Sequence, residues 1–194
     1  MIVKVAQRLH GDVLDVGCGE GLLVERLAKV SRSVTGIDRD ELAIGQAEVR
    51  TAKLTNARVT KADFMTMEVA PESYDLVTFV AAMHHMDLEA ALGRAHQLLR
   101  PRGRLVVVGL SANKSAYDYA RSALLFPAIR LVGATHGETH SVQVAVLPPR
   151  ESFSEIRQAA RRQLPRSHLR RALYYRYVLH WEKPSEFPAR DDAG

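Results

Sequence analysis

Three glycines and three aspartates carry the first chemical signal. The stretch Asp12-Val-Leu-Asp-Val-Gly-Cys-Gly-Glu-Gly21 sets Gly17, Gly19 and Gly21 between an apolar run and a helical stripe. Glycine lets a backbone turn sharply and approach a bound group closely. A dinucleotide loop of the GxGxxG type would need glycine at position 22, which is Leu22. A P-loop is excluded because no Gly-Lys-Ser/Thr follows. Asp15 precedes the loop. A carboxylate there is awkward for a pyrophosphate and suits a cationic ligand. Asp38 ends the next strand-like run, 21 positions after Gly17. From there a carboxylate can accept from both hydroxyls of a ribose. Asp63 ends the third run, and Phe64 follows it, a placement that suits an adenine amino group and its ring face. The ligand so described has a ribose, an adenine, a positive end and no phosphate. S-adenosylmethionine (SAM) fits all four.

These residues need elements to position them. Ile2, Val5, Ala6 and Leu9 predict a short amphipathic helix. Strands are expected at Asp12 to Val16, Ser33 to Ile37, Ala57 to Lys61, Tyr74 to Val80 and Arg104 to Val108. The fourth is a near-continuous apolar run of the kind buried on both faces. Helices are expected around Leu22 to Val30, over Glu41 to Ala52, and along the stripe Leu88, Ala91, Leu92, Ala95, Leu98 and Leu99. Pro101 stops that last helix. Strand and helix thus alternate over residues 12–109, which predicts a doubly wound, mostly parallel α/β sheet. Beyond it, Ala116 to Leu131 reads as a helix disturbed by Pro127. Residues 112–150 read as an insertion over the sheet. Ser152 and Glu155 form a capping box opening a helix to about Gln163. His168 to Lys183 reads as two antiparallel strands at the sheet edge, and 184–194 as a tail. The expectation is one domain over 1–183.

The chain resembles the class I SAM-dependent methyltransferases, in the small-molecule branch with a His-His segment after strand 4. The likeness covers about residues 10–110. It rests on DVLDVGCGEG at 12–21, VTGID at 34–38, KADF at 61–64, YDLVTFVAAMHHM at 74–86 and LLRPRGRLVVVG at 98–109. The resemblance implies a Rossmann-like seven-stranded sheet with an antiparallel edge strand, and SAM as cofactor. It implies that Asp15, Gly17, Gly19 and Gly21, with Cys18 between them, hold the methionine part. It places Asp38, beside Arg39, on the ribose, and Asp63 and Phe64 on the adenine. The backbone at Val80 and Ala81 would face the methionine amino group. Arg102 departs from the family, which has glycine in that turn.

Methyl transfer is an in-line displacement at carbon. The protein must align the nucleophile and, for a hydroxyl, remove its proton. His84 and His85 follow strand 4 at the edge where ligands of open α/β sheets sit. Either is a candidate general base, and the bland alternative is a turn residue that packs and caps. Met86, Tyr117 and Tyr119 are candidate acceptor contacts. Asp75 begins strand 4 at the wrong edge and reads as structural. Some target classes are excluded by their motifs: Val80-Ala-Ala-Met83 replaces the Asx/Ser-Pro-Pro-aromatic motif of amino-directed nucleic-acid enzymes. The lone Cys18 sits in the cofactor loop, which removes pyrimidine C5 chemistry. His136, Glu138 and His140 alternate in a loop and are read as incidental, so no metal is expected. The expected partner is a small-molecule acceptor, with the protein a monomer or homodimer.

Charge divides the chain. Lys and Arg total 27 against 22 Asp and Glu, yet residues 1–97 carry net −3 and residues 98–194 net +8. The stretch Arg150 to Arg176 holds eight arginines. Arg157, Arg161 and Arg162 lack acidic partners at helical spacing. A solvated basic face is the favoured reading, and an RNA or protein substrate the alternative. A non-catalytic SAM-binding protein is a third. The first ten residues lack the apolar core of a secretory signal, and no apolar run approaches a membrane span. The expected compartment is the cytoplasm.

Overall fold

The computed structural model describes residues 1–112, 149–172 and 176–185. Helix α1 (Ile2–Leu9) leads into β1 (Asp12–Val16), α2 (Leu22–Ala28), β2 (Ser33–Asp38), α3 (Glu41–Thr51) and β3 (Ala57–Lys61). Strand β4 (Tyr74–Val80) is followed by a single 3-10 turn, Met83–His85, then α4 (Leu88–Leu98) and β5 (Leu99–Leu110). Helix α5 (Phe153–Gln163), β6 (His168–Arg171) and β7 (Arg176–Glu182) complete the described elements.

The strands form one seven-stranded sheet in the order β3-β2-β1-β4-β5-β7-β6. The first five are parallel. Strand β7 runs antiparallel to both of its neighbours, β5 and β6. This is the doubly wound sheet that the alternation predicts, with the Rossmann-like seven strands that the resemblance implies. Its order reverses between β1 and β4, and such a switch point leaves a crevice at the C-terminal strand ends.

Strand alternation sends one set of side chains to each face. Leu14, Val16, Val77, Phe79, Leu105, Val107 and Leu179 join α4 and α5 in one core. Val13, Val34, Leu76 and Val106 join α1, α2 and α3 in the other. The apolar run of β4 is buried on both faces, as a central parallel strand requires. The capping box of α5 is formed, with Ser152 Oγ accepting from Glu155 N and Glu155 Oε2 accepting from Ser152 N.

Two expectations change. The α4 stripe ends at Leu98, and Leu99 already pairs with Tyr74 in the sheet, so β5 begins five residues earlier than Arg104. The ladder skips from Leu99 to Arg104, and the intervening turn puts Arg102 at φ 64°. Arg162 is not unpartnered: it reaches across to Glu89 on α4. Helix packing supplies a partner that local spacing does not.

The expected helix at 116–131, nearly all of the 112–150 insertion and the end of the tail fall outside the described residues. So do Tyr117, Tyr119, His136, Glu138 and His140. The residues flanking this segment meet in an isolated bridge, where Ala112 pairs with Ser152 and Ala112 N donates to Glu151 O at 2.8 Å. No helix among the described residues is long and apolar enough to cross a membrane.

Candidate functional site

The glycine loop is built by backbone geometry. Gly17, Gly19 and Gly21 have φ of 70°, 53° and 79°, the left-handed region that costs other residues energy. A Cβ on Gly17 would lie 2.4 Å from the Ala82 Cβ, so the loop after β1 is packed against the turn after β4. A Cβ on Gly19 would meet nothing within 4 Å. Gly19 therefore borders open space. Gly17 N and Cys18 N both donate to Ile37 O, at 2.8 and 3.0 Å, which fastens the loop to β2.

Asp38 completes this fastening. Its Oδ2 accepts from Gly19 N at 2.9 Å and its Oδ1 from Asp40 N at 3.0 Å. One carboxylate thus sets the loop and the entry to α3, where Asp40 caps the helix by accepting from Leu42 N. Asp15 is buried on β1 beside Thr78 of β4, whose hydroxyl donates to Asp15 Oδ1 at 2.7 Å. Burial pushes the Asp15 carboxyl up to about 7 against the lowering effect of Thr78, and the charge of Asp38 adds to the rise. Among the described residues neither carboxylate has a basic partner.

Asp63 accepts from Met65 N at 2.8 Å, and its other oxygen lies 3.6 Å from Arg39 Nε. Arg39 is exposed on this rim. Val80 is exposed at the end of β4. Ala81 holds φ 54° and gives its N–H to Val108 O at 2.8 Å.

Three expected site residues lie in or against the core. Phe64 is fully buried and edge-on to Phe79, with ring centroids 5.2 Å apart. Its ring is part of the core beneath α4, so it presents no face to an adenine. The Cys18 side chain packs into the α2 core, and burial followed by the charges of Asp15 and Asp38 pushes its thiol up to about 12. Its backbone alone can serve a ligand. Met86 is half-buried against the same core as Phe64. Thr78 is the residue that sequence reasoning missed. Its signal was one hydroxyl inside the apolar run Tyr74 to Val80.

The two histidines differ. His84 is buried, and neither ring nitrogen has a hydrogen-bond partner among the described residues. His85 is exposed, and the two rings lie 4.0 Å apart. Burial, then the neighbouring His85, holds the His84 pKa below the usual imidazole value.

Comparison with known proteins decides the family. Residues 13–103 match a methyltransferase-domain model. An uncharacterised methyltransferase of Mycobacterium bovis is 34% identical over 173 residues, covering 89% of this chain and 87% of that protein. The chain belongs to the class I SAM-dependent methyltransferases. A ubiquinone biosynthesis O-methyltransferase of Pseudomonas paraeruginosa is 35% identical over 112 residues, or 56% of this chain and 48% of its own length. A SAM-dependent methyltransferase from Mesorhizobium loti shares the fold at TM-score 0.66 and 14% identity, over 94% of this chain and 96% of that one. One from Methanosarcina mazei does so at 0.64 and 20%, over 90% and 93%. For this methyltransferase the candidate site is the crevice between β1 and β4.

Proposed function

We propose that this methyltransferase transfers the methyl group of SAM to a hydroxyl of a small molecule, with His84 as general base. The observation that supports cofactor placement is the Asp15 and Asp38 pair. Two carboxylates share a crevice with a glycine loop, and among the described residues no basic side chain pairs with either. A ligand with a positive end offsets that charge, and the bond-making surface beside Gly19 is open. When bound, SAM supplies an electrophilic methyl on a positively charged sulfur. Asp38 would accept from the ribose hydroxyls, Asp63 from the adenine amine, and Asp15 would face the cationic end. The carbonyls at Val80 and Ala81 would accept from the ammonium.

His84 supports the choice of oxygen. A buried imidazole with both nitrogens unpartnered is costly unless a ligand completes it. Its lowered pKa keeps it neutral, so one nitrogen is free to take a hydroxyl proton as the carbon–oxygen bond forms. The single-domain reading of 1–183 and the insertion at 112–150 as acceptor cover belong to the same proposal. Turnover of His84→Gln against a hydroxylated acceptor panel, read as S-adenosylhomocysteine, tests it. The expected loss is on the order of 100-fold in kcat with SAM affinity unchanged. The rate of the parent protein should hold to lower pH than an ordinary histidine allows. Unchanged kcat would remove His84 as the base.

A further inference from the structure

A second site lies three strands away from the crevice. Strands β6 and β7 frame a cavity of about 550 Å³, lined by Ser167, His168, Leu169, Arg170, Val178 and His180. That volume lies within the range of small-molecule sites. The register sets His180 opposite both His168 and Val106, so the cavity lies along the strands rather than at their C-terminal edge. It opens on the α1 face of the sheet, because Val106 belongs to the core under α1 and Met1 touches His180.

The chemistry of the lining is one-sided. None of the six residues is acidic. Arg170 Nη2 lies 3.7 Å from Met1 Sδ, and His180 Nε2 lies 3.3 Å from the same sulfur. A thioether is a weak acceptor. Two strong polar groups thus converge on a poor partner. Among the described residues no carboxylate pairs with Arg170 or His168. On the neighbouring strand Arg104 is already neutralised by Glu182 at 2.9 Å. His180 titrates low because of its burial first, and then because of the charges of Arg170, Arg104, His168 and the Met1 amino group. Among the described residues, the lining itself carries no negative charge.

We propose that this groove binds the terminal phosphate or pyrophosphate of a small molecule, with Arg170 and His180 gripping the anion in place of the Met1 sulfur. A guanidinium fork matches phosphate oxygens in pairs. His180 takes up a proton as the anion enters, and the exposed His168 is placed to donate a hydrogen bond to it. Binding therefore strengthens as pH falls through the histidine range. The site is independent of the methyl-transfer reading, and its failure would leave that reading intact.

Pyrophosphate titrated into the full chain, followed by NMR of the histidine side chains, tests the proposal. The expected result is a saturable shift of His168 and His180, a rise in the His180 pKa, and unmoved His84 and His85 signals. Arg170→Gln should weaken binding at least about tenfold, while SAM binding reports that the variant is folded. Should Arg170→Gln fail to fold, Arg170→Lys, which keeps the charge and loses the fork, should still weaken it. An absent shift at millimolar pyrophosphate overturns the proposal, as does equal affinity in the folded variant. A response to a short oligouridine lacking terminal phosphates, with none to pyrophosphate, would assign the groove to nucleic-acid backbone instead.

Discussion

The parallel strands carry a carboxylate cluster at each end, and the two are treated oppositely. At the N-terminal end Asp12 and Asp75 face Arg32 and Arg100. Arg100 lies 3.0 Å from Asp12 and 2.7 Å from Asp75, Arg32 also grips Asp12, and Ser33 Oγ donates to it at 2.7 Å. Asp12 N donates to Asp75 Oδ2 as well. The Arg32 hydrogen bond, reinforced by Ser33 and Arg100, holds the Asp12 carboxyl well below the usual carboxylate range despite its burial. At the C-terminal end Asp15 and Asp38 receive hydrogen bonds from Thr78 and from backbone but, among the described residues, no guanidinium. Asp15 is accordingly raised, not lowered. One cluster is closed by the protein's own charges and ties strand ends together. The other is left uncompensated at the switch point, which is the expected state of a site that waits for a cationic ligand.

The largest test of this contrast is Asp38→Ala. It removes the proposed ribose acceptor and frees Gly19 N, so SAM affinity should fall on the order of 100-fold, about 2.7 kcal/mol by calorimetry. Unchanged affinity would sink the cofactor placement. Next comes Asp12→Asn at the opposite end. It should cost roughly 2–3 kcal/mol of stability while leaving SAM affinity intact. Thermal unfolding should also show this contribution in the parent: Asp12 stabilises above the ordinary carboxylate pKa, and the benefit is lost as pH falls through its depressed value.

Asp15→Asn should act in the reverse sense. The raised pKa means that the folded state holds a proton the unfolded state releases, so Asp15 lowers stability as pH rises from about 4 to about 7. The amide removes that pH-dependent loss, so the ligand-free variant should be at least as stable as the parent at pH 8. Its SAM affinity should drop. In the parent, SAM affinity should tighten as pH rises toward 7, because a cation favours the ionised carboxyl. A variant weaker in both respects would mean that Asp15 is structural. The smallest effect is expected at Arg102→Gly, at the closed end. A left-handed arginine costs about 1 kcal/mol, and glycine should return some of it as a slightly higher Tm.

Much of the site was legible because its signals are local. A strand that ends in Gly17-Cys-Gly-Glu-Gly21 must turn there, and periodicity then fixes where Asp38 and Asp63 emerge. Residues whose roles depend on facing partners were not legible. Phe64 follows Asp63 in sequence, yet strand and turn geometry rotate its ring into the core against Phe79. Thr78 reads as one polar residue in an apolar run until the register sets it beside Asp15. Arg162 has no acid at helical spacing because its partner Glu89 lies on another helix. The same is true of the two histidines, which adjacency in sequence makes equal and burial makes different.

The sequence by itself determined the family, the order of strands and helices, the left-handed glycine loop and the split of charge between the two halves. Those follow from side-chain period and from the few residue types that tolerate a positive φ. Only the tertiary structure decided which carboxylates are neutralised, which histidine is buried, and that Arg170, His168 and His180 surround one cavity. Those are questions of which groups share a low-dielectric space. Charge and desolvation act through distance in the fold, not through separation along the chain.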